Sequence, residues 1–235
     1  MNKIILDNES NSDEINLKED TVLEFNFNDT QKDIVINLDD NVNLTVYDKS
    51  NYTKNSICYN AGNNNNVQIN KASIDCSDKV KVEIKGENTN IEFYNSIINY
   101  NDNEYKEEIN HISKNSNSSV VNHCVNVKDN TFKFIVDGKI SKNASKTNFK
   151  QDNKIINMES GKSFILPNLI VDNNDIDASH SAYIGKFDED ILFYMMSRGI
   201  SYNDSNYLLI KAFLTNGMGS CEKMNSYLEN LIKNI

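Results

Sequence analysis

Three histidines and four cysteines are the side chains of this 235-residue chain best suited to metal or nucleophile chemistry. Cys58, Cys76, Cys124 and Cys221 lie far apart with no CxxC pair, so their spacing writes neither a zinc knuckle nor a disulfide framework. Most are expected to be reduced thiols packed as small apolar groups. His123 and Cys124 are neighbours, and on a strand their side chains point to opposite faces, so only one of them can serve a given site. Cys221 falls in the first turn of a predicted helix, where a thiolate is favoured. His180, in the run DASHSAY, carries an imidazole of the kind that binds metals when neutral; the structural alternative is a histidine satisfied by backbone at a strand end. Asp152 is either a carboxylate ligand or the cap of a turn. The triplet Asp188–Asp190 offers the paired carboxylates of glycoside chemistry but reads better as an acidic helix start. Eight glycines form no P-loop and there is no GxSxG, so the chain is not expected to bind ATP itself.

The elements that would position these residues fall into two regions. Up to about residue 185 the chain is a series of short alternating strands, among them Thr21–Asn28, Asp33–Leu38, Asn41–Tyr47, Val67–Ile74, Val80–Lys85 and Asn90–Tyr94, separated by Asn, Asp and Gly turns. Phe132, Phe134 and Val136 continue the alternation, and Phe164 and Ile165 precede the single proline, Pro167. Few hairpin-type turns join these strands. The pattern fits a parallel β-helix of roughly 20–25 residues per turn with Asn ladders at its corners, or a β-sandwich. Tyr100–Ser119, polar and rich in Asn, reads as a loop. After Gly185 the period becomes helical. Asp188 caps a helix ending at Arg198–Gly199, Ser201 with Asp204 opens a second that runs to Gly217, and a third from near Ser220 places Met224, Tyr227, Leu228, Leu231, Ile232 and Ile235 on one stripe.

The formal charge of −10 and the scattered lysines argue against nucleic acid as a partner. No window approaches the ~20 apolar residues of a membrane span, and the acidic N-terminus does not read as an export signal. A cytoplasmic location is the expectation.

The segment DASHSAYIGKFDEDILFYMMSRGIS, Asp177–Ser201, resembles the C-terminal signature of the SufB/SufD family of iron–sulfur cluster assembly proteins. It carries a histidine at a strand end (His180), Gly185, an acidic cap (Asp188–Asp190), LFY (Leu192–Tyr194) and an SRGIS turn (Ser197–Ser201). Upstream, His111, the F-x-x-x-G-x-I stretch Phe134–Ile140, Ala144 with Thr147, Gln151–Asn153 and Pro167 follow in the family's order.

The resemblance implies a mainly β chain: a right-handed parallel β-helix over residues 1–185 and a small helical region over 186–235. It further implies a non-catalytic scaffold of the SUF system beside an ABC-type ATPase, SufC, that docks on the helices and hydrolyses the ATP. The docking surface would include Leu192, Phe193, Tyr194, Ser197, Arg198, Gly199 and Ile200. Open sheet edges suit a homodimer or a pseudo-dimer with a SufB or SufD paralogue. A transient iron–sulfur cluster or iron would be held by His180, with Asp152 and Cys124 as further candidates. The chain departs from the family in the residues flanking the histidine, Ser179 and Ser181 in place of glutamates. Asp152 stands where SufB has a cysteine, and Ala178 where SufD often has one. The thiolates that suit sulfide clusters are therefore depleted. The alternative is a structural β-helix that touches no cluster, either a SufD-like stabilising partner or a polymerising scaffold.

Overall fold

In the computed structural model, which describes residues 1–233, fifteen strands wind into a parallel β-solenoid and three helices follow. Strands alternate between two sheets. One holds β1 (Asn2–Asp7), β3 (Thr21–Asn26), β5 (Asn43–Asp48), β7 (Asn66–Ile74), β9 (Asn90–Asn99), β11 (Asn117–Asn126), β13 (Thr147–Asn157) and β15 (Ile176–Gly185). The other holds β2 (Glu14–Leu17), β4 (Asp33–Leu38), β6 (Ser56–Ala61), β8 (Lys79–Ile84), β10 (Asn103–His111), β12 (Thr131–Ile140) and β14 (Lys162–Val171). Each strand pairs in parallel with the strand two places on, so every circuit adds one strand to each sheet. This is the solenoid, not the sandwich.

Inward positions stack into columns. Leu23, Val46, Ile69, Phe93 and Val120 lie opposite one another on successive strands of one sheet. Ile36, Tyr59, Val82 and Ile109 do the same on the other. All are buried in one continuous core, and each contributes on the order of 1.5–3 kcal/mol from burial. Gly138 follows Ile109 in its column because the Phe149 ring occupies the space there: a Cβ would sit 2.2 Å from that ring. At one corner Asn41, Asn64 and Asn88 adopt left-handed φ values of 62°, 55° and 56°, which Asn tolerates better than most residues. Their amides form a ladder, Asn64 Nδ2 to Asn41 Oδ1 at 3.0 Å and Asn88 Nδ2 to Asn64 Oδ1 at 3.3 Å.

The circuits are not equal. Asn2 lies opposite Thr21, Thr21 opposite Leu44, and Asn117 opposite Asn148. Strands lengthen in step, from four residues in β2 and six in β5 to ten in β12 and eleven in β13.

The loop expected over Tyr100–Ser119 is instead mostly strand, β10 and the start of β11. Its inward residues are Tyr105, Glu107, Ile109 and His111, all buried. Glutamate and histidine at inward positions break the apolar alternation by which a strand is recognised. His111 is satisfied inside by Ser116 Oγ and Ser118 Oγ, each at 2.7 Å.

The helices are α1 (Glu189–Ser197), α2 (Tyr202–Gly217) and α3 (Glu222–Ile232). The caps follow the sequence: Asp188 and Ser201 accept from the amides of Asp190 and Asp204, and Gly199 is left-handed at φ 88°. α2 and α3 pack on the outer face of the eight-stranded sheet, where Ile210, Leu214, Met218, Met224, Leu228 and Ile232 meet Ala72, Ile98 and Val125. Ile235, the last residue of the expected stripe, lies outside the described residues. None of these helices is long and apolar enough to cross a membrane.

Candidate functional site

The column Leu23–Val46–Ile69–Phe93–Val120 continues on the last two strands of its sheet as Gln151 and His180. His180 thus occupies an inward position, but on β15, which among the described residues has no further strand above it, and the residue is exposed. Its Nδ1 lies 3.0 Å from the carbonyl oxygen of Pro167 on β14. A carbonyl only accepts, so Nδ1 carries a proton, and in the neutral ring this leaves Nε2 with the lone pair a metal ligand needs. Pro167 sits on the edge strand of the other sheet, where a missing backbone donor is tolerated.

Asp152 does not share this face. It lies opposite Ser181, one place along from the Gln151–His180 pair, and neighbouring residues of a strand point to opposite faces. On the outer face it accepts from Ser181 Oγ at 2.5 Å and pairs with Lys154 Nζ at 2.6 Å. Burial raises its pKa, but the bonds and charge of Lys154 and Ser181 outweigh that and hold the carboxyl below its ordinary value. Cys124 faces inward two strands deeper, in register with Ile155 and Ile184. Four residues and two strand spacings put it about 16 Å from His180. It is fully buried, and desolvation pushes its thiol well above the usual range. The adjacent His123 points the other way. It donates from Nδ1 to the Phe213 carbonyl at 2.8 Å and stacks on the Phe213 ring at 4.5 Å, and burial lowers its pKa. Cys76 is buried, Cys58 and Cys221 half-buried, and all four thiols are free.

Beneath His180 runs a buried polar column that sequence reasoning missed. Asp48, Lys71, Asn95, Asn122 and Asn153 lie opposite one another on successive strands. At one end Lys71 Nζ bridges Asp48 at 2.7 Å and Asp78 at 2.8 Å, all three buried. Desolvation opposes the Lys71 charge, but the two carboxylates outweigh it and hold its pKa well above normal. Farther along, Asn95 Nδ2 donates to Asn122 Oδ1 at 3.2 Å, and Asn122 Nδ2 to Asn153 Oδ1 at 2.9 Å and to Glu107 Oε2 at 3.1 Å. Asn153 in turn donates to Gln151 Oε1 and to the Ser181 carbonyl. Burial pushes Glu107 up to about 8, so it is protonated at neutral pH. The signal in the sequence was an asparagine on each of three successive circuits, Asn95, Asn122 and Asn153, blurred by the changing circuit length.

Among the described residues, no three His, Cys, Asp or Glu side chains are placed to hold a metal ion together. His180 is one prepared ligand without a thiolate beside it, so these residues do not by themselves fit a sulfide cluster.

Fold and site define a parallel β-solenoid with an open, histidine-bearing end and a helical appendage bound along one sheet. The family model for the SUF system FeS cluster assembly SufBD core domain matches residues 14–213, and the chain belongs to that family. The iron–sulfur cluster assembly protein SufD of Bacillus subtilis (strain 168) is 33% identical over 108 residues, 46% of this chain and 25% of that protein. A SufBD family protein, ycf24, of Galdieria sulphuraria is 29% identical over 133 residues, 55% of this chain and 60% of its own length. The iron–sulfur cluster assembly protein SufB of B. subtilis is 28% identical over 106 residues, 44% of this chain and 23% of that protein. The matches therefore span less than two thirds of each of these relatives.

Proposed function

We propose that this chain is a scaffold subunit of a SUF-type iron–sulfur cluster assembly complex, holding iron or a cluster transiently as cargo. Family membership supports the setting. The observation that carries the site is the Pro167 carbonyl fixing His180 as the Nδ1–H tautomer, which leaves Nε2 for a metal. The cargo's remaining ligands would come from a second subunit. Both sheets end there in edge strands, β14 and β15, and Phe164, Leu166 and Ile170 are exposed on the outer side of β14. Unpaired edges beside exposed apolar residues suit pairing with another copy or with a SufB or SufD paralogue. The partner supplying ATP hydrolysis would be a SufC-type ATPase docking on α1. Phe193 and Tyr194 are 73% and 59% exposed there, Arg198 stacks over the Tyr194 ring at 5.2 Å, and Leu192, Ser197, Gly199 and Ile200 complete the surface.

A second reading is favoured by the state of the other two candidate ligands. Asp152 is committed to Ser181 and Lys154, and Cys124 is a buried thiol. On that reading the chain is a SufD-like structural partner that stabilises the complex without touching the cargo. Anaerobic reconstitution with iron and sulfide, wild type against His180→Ala, separates the two. Loss of bound iron in the variant supports the ligand role, and equal iron in both rejects it. Tyr194→Ala and Arg198→Ala are expected to weaken co-purification with the ATPase, and an undiminished complex would rule out α1 as its dock.

A further inference from the structure

Lys71 is unlike the other lysines that pair with carboxylates. Among the described residues those are 34–56% exposed, whereas Lys71 is 1% exposed and its partners Asp48 and Asp78 are 4% and 0% exposed. A buried ion group adds little stability over apolar packing, because desolvation of its charges offsets their attraction. Its arrangement suits a reaction instead.

Lys71 Nζ is 2.8 Å from Asp78 Oδ2. With a C–O length of about 1.2 Å, Nζ is within about 4 Å of the carboxyl carbon, held there by packing rather than by chance encounter. Both oxygens of Asp78 are gripped: Asn55 N–H donates to Oδ1 at 2.7 Å and Thr53 Oγ1 to Oδ2 at 3.0 Å. A second carboxylate, Asp48, touches the same ammonium at 2.7 Å and is itself fixed by the Ser50 amide at 3.0 Å. Amine, carboxyl, a proton carrier and a donor on the carboxyl oxygen thus meet in one dry place.

We propose that Lys71 and Asp78 join as an intramolecular isopeptide, an amide between Nζ and Cγ, with Asp48 moving the protons. In the paired state the ammonium has no lone pair. Passing one proton to Asp78 Oδ2 leaves an amine and a carboxylic acid, and exchanges two buried charges for none, which a dry site favours. Nζ then attacks Cγ, and the negative charge that develops on Oδ1 faces the Asn55 amide. Asp48 takes the second proton from nitrogen and returns it to Oδ2. The Cγ–Oδ2 bond breaks and water leaves. The amide keeps one N–H, Asp48 ends as it began, and no oxidant or other reagent is consumed. The product staples the corner between β7 and β8, from Ala72 to Ser77, across the wall of the solenoid.

Mass spectrometry of the full chain tests this directly. The folded protein is expected to weigh one water less than its sequence requires. Trypsin should fail to cut after Lys71 and release residues Asn55–Lys79 as one peptide, also lighter by one water, with no fragment ions from within the ring 71–78. Lys71→Met and Asp48→Asn, the latter checked for folding by circular dichroism, should each keep the full mass. An unaltered wild-type mass overturns the proposal. So does separate release of Asn55–Lys71 and Ala72–Lys79, which would make any lost water a succinimide, or a link from Lys71 to the Asp33–Lys49 peptide that carries Asp48. Loss of water that survives Asp48→Asn in a folded chain overturns the part given to Asp48. The wild-type peptide map decides the linkage whether or not the variants fold.

Discussion

Glu107→Gln should remove a large pH dependence from the stability of this protein. In the unfolded chain a glutamate titrates near 4.5; folded, burial lifts Glu107 to about 8, with only the Asn122 amide favouring the charged form. Between these values the unfolded chain gives up a proton that the folded chain keeps, so stability falls as pH rises. The contribution is complete below pH 4.5 and is lost as pH passes through 8. At about 1.4 kcal/mol per pH unit, some 3 kcal/mol is gone at pH 7 and about 5 kcal/mol above pH 8. Glutamine keeps an oxygen to accept from Asn122 and cannot ionise. Its second amide atom is left no worse placed than Oε1, which has no partner now. Wild type and variant should therefore be similar near pH 4.5 and diverge with pH, the variant being several kcal/mol more stable at pH 8.5. The chain has eleven tyrosines and no tryptophan, so urea unfolding can be followed by tyrosine fluorescence alongside circular dichroism. Parallel stability–pH curves for the two proteins would refute the argument. Glu107 would then be titrating as a solvated carboxylate.

Three further outcomes follow from the packing. Lys71→Met leaves Asp48 and Asp78 buried without their cation and should cost about 3–5 kcal/mol in urea unfolding; a cost under ~1 kcal/mol would refute a role for this ion triad in stability. Gly138→Ala places a methyl group against the Phe149 ring and should destabilise by about 1–3 kcal/mol, with Phe149→Leu restoring part of the loss in the double variant. Gly217→Ala raises helix propensity by about 1 kcal/mol but puts Cβ 2.6 Å from the His123 ring. Amide protection in α2 should fall, and unchanged protection would mean that the His123 ring gives way at no cost.

The strand alternation, the three helices and their caps were legible because each depends on neighbours in sequence. Asp188, Ser201 and Gly199 act on backbone groups within a turn of themselves. β10 was not legible, because Glu107 and His111 look outward by type and face inward in fact; their partners, Asn122, Ser116 and Ser118, come from the following strand or the turn before it. At the candidate site, the resemblance carried His180, but no local pattern fixes the register that puts Gln151, not Asp152, opposite it. That register depends on how many residues each circuit spends at its corners. The opposite facing of His123 and Cys124 needed only the strand period and was read correctly.

The lengthening circuits also bear on how copies of this chain can meet. At about 3.3 Å per residue, strands of four to six residues give the first circuit a flank some 13–20 Å wide, while the ten-residue strands at the other end span about 33 Å. The two ends are therefore of different gauge. A wide end seated on that first circuit would leave several backbone groups of β14 and β15 unpaired. Two wide ends match each other in length, and such a contact closes on itself. The widening of the coil thus bears on the pairing proposed above: the edge strands at the end bearing His180 would be matched in length by those of another end of equal width.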